Sequence, residues 1–346
     1  MEKEKKMTRF RESQGGMLFQ KYSVFLVLFA LIIIASIISD AFLSYQNIMN
    51  VLRQISTNAI LSLGLLLVIM TGGMDISIGS IVGVSSVLLA TLFAPESASG
   101  PMAFLVRFFG GMISKNAGGL LLAILVILVF GALFGAINGV VICKARVQPF
   151  IMTIGTLTLY RGVALLLTGG LLVYMDSDTS SLVEVIGKGR AVLNIPNQLF
   201  VLLAVAIVVA FVLNKTVFGR SLKAIGGNQE SARLAGINVD FHKIAVYTIC
   251  GVCAAAAGIL ATARTTCGDP NLGTSYEMNA IAACVIGGAK LSGGRGTVIG
   301  TLCGALIIGI INNMMNLADI NTYYQYVVRG GIVILAVAFN SKEKKA

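Results

Sequence analysis

The chain has 346 residues, of which 56% are hydrophobic and only 12% charged, about half the charged share of a soluble domain. So few charges exclude a soluble globular enzyme, whose surface they could not cover, and so much apolar side chain excludes disorder. The net charge of +11 would suggest nucleic acid in a soluble protein; in a polytopic membrane protein it orients the spans instead, and no nucleic-acid partner is expected.

A membrane span takes about 20 apolar residues. Ten apolar runs meet or approach that length, at 22–39, 54–72, 76–94, 119–142, 148–168, 199–213, 244–263, 279–289, 297–312 and 324–340. The expected fold is all-α: one polytopic domain, 1–346, of about ten transmembrane helices. The first run follows a Lys/Arg-rich tail, 1–21, as in a signal peptide. It is long and has no small-x-small cleavage site, so an uncleaved first span is expected.

Between the second and third runs, Met70-Thr-Gly-Gly-Met-Asp-Ile-Ser-Ile-Gly-Ser80 allows a helix break at Gly72 and Gly73. A carboxylate at the centre of a spanning helix costs about 2.5–3.5 kcal/mol, so Asp75 needs a reason. It is expected to cap the third span; the other reading puts it near a solute path. Segment 95–118 holds an apolar stretch, Met102 to Met112, with one charge, where an interfacial helix is expected. Segment 169–198 is polar and acidic, and reads equally as a solvated loop or as a face for an external partner.

Loop 214–243 contains a short helix, Gln229 to Ala235, with Asn228 as N-cap and Gly236 as C-cap. It is either a connector on the membrane surface or a helix held by a partner. Run 279–289 is the weakest and needs its flanks to span. The stretch Gly131-Ala-Leu-Phe-Gly-Ala-Ile-Asn138 is echoed by Gly304-Ala-Leu-Ile-Ile-Gly-Ile-Ile-Asn312 with one insertion. The two run in opposite directions across the membrane, which suggests an inverted repeat of spans 2–5 and 7–10. With both termini cytoplasmic, 18 of the 26 Lys and Arg residues fall on inside segments and five outside, which satisfies the positive-inside rule.

Little here can do covalent chemistry. Cys250-x-x-Cys253 lies inside a span without a second pair or a nearby His, so small-residue packing is expected rather than a metal or redox site. His242 is the only histidine and sits in a basic loop; no segment has Walker A spacing. No catalytic residue, metal or cofactor is expected. Polarity at membrane depth selects Asn58, Asp75, Asn138, Tyr160, Asn312 and Asn313 as candidates for a solute path, each also able to serve helix packing.

Several stretches resemble a known family. They include Gly72-Gly-Met-Asp-Ile-Ser-Ile-Gly-Ser80, Asn138-Gly-Val-Val, Val147-Gln-Pro-Phe-Ile-Met-Thr-Ile-Gly-Thr156 and Tyr160-Arg-Gly162. They continue with Gly226-Gly-Asn-Gln-Glu-Ser-Ala-Arg-Leu-Ala-Gly-Ile-Asn238, Tyr276-Glu-Met-Asn-Ala-Ile-Ala-Ala283 and Gly293-Gly-Arg-Gly-Thr-Val-Ile-Gly300. The chain resembles, over about 40–340, the permease subunit of bacterial ABC sugar importers of the ribose/galactose/xylose type. The resemblance implies a bacterial inner-membrane location amid membrane lipid, and a second permease subunit, identical or related. It also implies cytoplasmic ABC ATPase subunits and a periplasmic sugar-binding protein. It places Gly227, Asn228, Glu230, Ala232, Arg233, Gly236 and Ile237 in a coupling helix that enters a groove on the ATPase. The external loop 95–118 is longer than in typical ribose permeases. The competing classes are an ion-coupled secondary transporter of small polar solutes, for which Asp75 is nearly the only coupling carboxylate, and a membrane scaffold.

Overall fold

The computed structural model describes residues 14–190 and 194–342, and among them the chain forms fourteen α-helices and one two-stranded ribbon. The helices are α1 (Gln14–Ile38), α2 (Tyr45–Met70), α3 (Ile78–Phe93), α4 (Ala103–Gly110), α5 (Ala117–Lys144), α6 (Pro149–Thr168) and α7 (Ser177–Gly187). There follow α8 (Asn197–Lys215), α9 (Val217–Gly227), α10 (Gln229–Leu234), α11 (Val239–Thr265), α12 (Tyr276–Ile286), α13 (Val298–Leu317) and α14 (Thr322–Lys342). The ribbon pairs β1 (Val173–Tyr174) antiparallel to β2 (Cys267–Gly268). The chain is thus an all-helical, polytopic membrane protein.

Each of the ten apolar runs lies on a helix. Six helices, α2, α5, α6, α8, α11 and α13, are long and apolar enough to cross a membrane. Their ends are set by local chemistry. Ser44 accepts the Asn47 N–H at the start of α2, Asn116 the Gly119 N–H at α5, and Thr297 the Gly300 N–H at α13. Pro149 opens α6, where its missing N–H costs nothing, and Gly169, at φ 61°, closes it. Helix α2 begins nine residues before the apolar run, because its first turns, Tyr45 to Arg53, mix polar residues with apolar ones and are still helical.

Burial sorts the helices into a centre and a rim. The apolar window of α2 is 83% buried, against 28% for α5, α6 and α8. On α5 the residues Leu121, Leu125, Val129 and Leu133, four apart, are all exposed. Such a stripe would be unstable in water and is stable against lipid tails. The opposite face of α5 packs on α11 at glycines: a Cβ on Gly135 would strike the Tyr247 carbonyl. In the absence of a hydrophobic drive between helices, such close backbone approach is what holds them.

The molecule has two distinguishable ends. At the ribbon end, Ser99 N–H donates to the Leu167 carbonyl (2.9 Å), Tyr45 Oη to the Asn194 carbonyl (3.2 Å) and Lys115 Nζ to Asp176. At the other end, where α9 and α10 form an elbow, Gly294 N–H donates to the Met70 carbonyl (3.0 Å), and Cys143 Sγ lies on the Asp240 carbonyl (3.7 Å).

The structure changes two expectations and agrees with a third on the presence of a helix. The described residues of segment 169–198 are not a plain solvated loop: β1, α7 and a bridge between Arg190 and Pro196 order them. The Asp176 carboxylate caps α7 and is held well below the usual carboxylate range, first by Lys115 and then by Thr179. Segment 214–243 is mostly helical, since α9 precedes the expected short helix; its charges Arg220 and Lys223 and its glycines hid it from an apolar count. The interfacial stretch does form a helix, α4, with Ala103 and Val106 buried and Phe104 and Phe108 outward.

Candidate functional site

The polar candidates fall into three places. The first is the break between α2 and α3. Gly72, at φ 73°, turns the chain out of α2, and the extended residues that follow carry Asp75 into the centre with no exposure. Asp75 Oδ1 accepts the Ser77 N–H (3.0 Å) and the Ser77 hydroxyl (2.7 Å). Asn138 Nδ2 on α5 donates to Ser77 Oγ (2.9 Å). Tyr160 Oη on α6 donates to the Phe134 carbonyl (3.0 Å) and lies 3.5 Å from Asn138 Oδ1. Tyr247 Oη on α11 donates to the Met74 carbonyl (3.0 Å). Asp75, Asn138 and Tyr160 therefore meet in one network. Asp75 does not cap α3: Ser77 occupies the cap position with its side chain turned back to Asp75, so the carboxylate shapes the turn before the helix. Its second oxygen, Oδ2, is buried with no hydrogen-bond partner among the described residues.

A second break, 266–275, enters from the opposite end and echoes the first. Thr71-Gly-Gly-Met-Asp-Ile-Ser-Ile-Gly79 stands against Thr266-Cys-Gly-Asp-Pro-Asn-Leu-Gly273. Thr71 and Thr266 are the C-caps of α2 and α11. Asp269 Oδ1 accepts the Asn271 N–H (2.8 Å), as Asp75 does that of Ser77. The two segments meet at Gly79 and Gly273, where a Cβ on either would strike the other's carbonyl. Arg161, in the middle of α6, ties them. Its guanidinium donates to the carbonyls of Pro270, Leu272 (2.9 Å) and Gly79 (3.3 Å). Unwound backbone at membrane depth leaves carbonyls without helical donors, and a guanidinium with five N–H groups satisfies several at once.

The other candidates lie toward the ribbon end. Asn313 and Asn47 exchange amide hydrogen bonds (2.8 and 3.0 Å), and Asn47 also donates to the Phe42 carbonyl (2.9 Å). That pair fastens α13 to α2 and takes one donor and one acceptor of Asn313. Asn58 and Asn312 instead line a cavity of ≈ 140 Å³ with Gln54, Thr57, Arg264, Tyr276, Asn279 and Arg329. Apart from the Tyr276 ring, every side chain in that wall is polar or charged. Arg329 Nε donates to Asn312 Oδ1 (3.0 Å) and its Nη2 to Gln325 Oε1 (3.2 Å).

At the elbow end, α10 forms with Asn228 as N-cap, its Oδ1 accepting the Ser231 N–H (2.9 Å). Gly236, at φ 81°, makes the turn out. Ala232 is buried with Ile225 and Val239, and Ile237 packs on them, whereas Glu230 and Leu234 face outward and Leu234 is 90% exposed. Nothing lies near a Cβ built on Gly227. Arg233 is 3.6 Å from Asp240. Between α10 and the turn at 143–149 is a cleft of ≈ 730 Å³. One residue below, Gly226 lies against the Met70 carbonyl and Gly294 N–H, with no room for a Cβ. The elbow thus touches the end of α2 and the α12–α13 turn directly.

Sequence reasoning missed Arg161, Ser77, Tyr247 and most of the cavity wall. Arg161 and Arg329 were visible as charges within apolar runs, and a charge there is seldom idle. The second break carried its own signal in its likeness to the first. Tyr247 offered none.

Comparison with known proteins comes down on one family. Residues 47–337 match the model described as branched-chain amino acid transport system / permease component. The ribose import permease protein RbsC of Haemophilus influenzae is 39% identical over 93% of this chain and 93% of its own. The galactose/methyl galactoside import permease protein MglC of Salmonella typhimurium is 36% identical over 95% and 94%. The D-allose transport system permease protein AlsC of Escherichia coli is 35% identical over 94% and 93%. No solved structure matches the chain.

Proposed function

This chain belongs to the branched-chain amino acid transport system / permease component family, and from that premise we propose that it is the membrane subunit of an ATP-binding-cassette importer for a monosaccharide. It is a transport subunit and not an enzyme. The relatives favour a sugar over an amino acid, since those at 35–39% identity are named for ribose, galactose and allose. Its partners in this reading are a cytoplasmic ATPase, a periplasmic sugar-binding protein and a second permease, identical or related, in the bacterial inner membrane.

Ten helices span in this reading: α1, α2, α3, α5, α6, α8 and α11–α14. The elbow end is cytoplasmic together with both termini. Lys144, Arg146, Lys215, Arg220, Lys223, Arg233, Lys243, Lys290 and Arg295 support this, because they crowd that end. The inverted repeat of α2, α3, α5 and α6 with α11–α14 gains support from helix pairing. Helix α11 packs on α5 as α2 packs on α13, and α3 on α6 as α12 on α14. The paired breaks at 71–79 and 266–273 are where such a repeat would place its discontinuous helices.

The observation that carries the reading is the seat of Gly226 on Met70 and Gly294. A push on α10 from a docked ATPase would pass through α9 to the ends of α2 and α12 without a compliant side chain between. Those ends hold the first break, and Arg161 links it to the second. ATP binding on one side could then move both breaks together and switch the access of the path.

The test is ATPase activity of this chain co-reconstituted with its ATPase and binding protein over a panel of sugars. Stimulation by one loaded binding protein is expected. Failure of any ATPase to associate would overturn the coupling role of α10 and with it the importer reading.

A further inference from the structure

The cavity between α2, α11, α12, α13 and α14 has a wall that is polar or charged apart from the Tyr276 ring, and its unmet hydrogen bonds specify what fits. Asn58 is 8% exposed and its Oδ1 has no partner among the described residues, so one buried acceptor awaits a donor. Two guanidiniums, Arg264 and Arg329, face the same space with no carboxylate in the wall, so several donors await acceptors. We propose that this cavity is a sugar-binding site contained within one permease subunit, taking a neutral, hydroxyl-rich solute of pentose or hexose size. The proposal rests on the importer reading and extends it.

The argument is one of complementarity. A hydroxyl both donates and accepts, so a polyol can give a proton to Asn58 Oδ1 while its other oxygens accept from the two arginines. A carboxylate or sulfate only accepts, and leaves Asn58 Oδ1 orphaned. A cation only donates and is repelled by two like charges. An apolar solute leaves the whole wall unpaired, at the cost of every buried polar group in it. Size agrees: a water needs roughly 10–15 Å³ on this measure, so ≈ 140 Å³ holds about ten, on the scale of a monosaccharide. Position agrees too. Arg264 lies in the last turn of α11 and Tyr276 begins α12, so the cavity flanks both ends of the 266–275 break at the ribbon end.

The test uses the full complex in vesicles. Thr57→Cys, in a chain with Cys143→Ser, is exposed to a small neutral methanethiosulfonate. The probes are D-ribose, D-galactose and D-allose, with sulfate as the anionic comparison. Modification is expected, and at least one neutral sugar should slow it about tenfold while sulfate does not. No modification, or protection by sulfate alone, overturns the proposal. In parallel, Asn58→Leu and Arg329→Met should lower sugar uptake about tenfold while the ATPase stays bound. Uptake equal to wild type overturns the cavity and leaves the importer reading standing. A wild-type complex that imports none of the sugars, although Thr57→Cys is protected, overturns the importer reading and leaves the cavity as a polyol site.

Discussion

Asp75 and Arg161 solve the same problem from opposite signs: each is an ionisable group placed where helical backbone stops. Asp75 holds the turn before α3 through Ser77, and that role needs an acceptor rather than a charge. Asp75→Asn should therefore keep the fold, whereas Asp75→Ala, which orphans the Ser77 N–H, should cost about 1–3 kcal/mol. Thermal unfolding in detergent measures both. Equal losses would mean that the charge matters in itself. Arg161 serves three carbonyls on two chain segments. Arg161→Met should destabilise the protein by about 3 kcal/mol, roughly one for each bond lost, and Arg161→Lys by less. A denaturant titration that finds Met and Lys alike would remove the multiple-donor argument.

At the scale of elements, the elbow is the part that separates two roles. Glu230 and Leu234 look outward from α10, whereas Gly226 looks inward to Met70 and Gly294. The double variant Glu230→Ala, Arg233→Ala should weaken capture of the ATPase on affinity resin. Full transport by that variant would remove α10 from the coupling contact. Gly226→Val should behave differently. Its side chain collides with backbone that cannot yield, so transport should fall at least tenfold while the ATPase still binds, a loss on the order of 1.4 kcal/mol or more. Loss of both together would mean that Gly226 merely shapes the elbow. The element boundaries show the limits of an apolar count. Capping residues located α10 from the sequence because Asn228 and Gly236 act locally. Helix α9 stayed hidden because its apolar residues, Leu222 and Ile225, are buried by packing on a partner that the sequence does not display.

For the whole molecule, the orientation follows from charge and is open to a direct check. Single cysteines at Leu234 on the elbow end and at Leu171 on the ribbon end are both well exposed sites. In intact cells an impermeant maleimide should label Leu171→Cys and not Leu234→Cys. The reverse pattern would invert the topology and move the proposed ATPase contact to the wrong side of the membrane.

By itself the sequence determined the solvent of this protein, the positions of its long helices and the residues of its elbow. These depend on composition, on apolar length and on caps, each of which acts within a few residues. It also named Asp75, Asn138 and Tyr160, since a polar side chain in an apolar run has to find a partner. Only the tertiary structure decided which partner. Asn313 turned out to pair with Asn47, Asn58 was left with an acceptor that has no partner among the described residues, and Arg161 reached across to carbonyls more than a hundred residues away. Hydrogen-bond satisfaction is settled between helices that meet in space, and the order in which they meet is not written in any local stretch of chain.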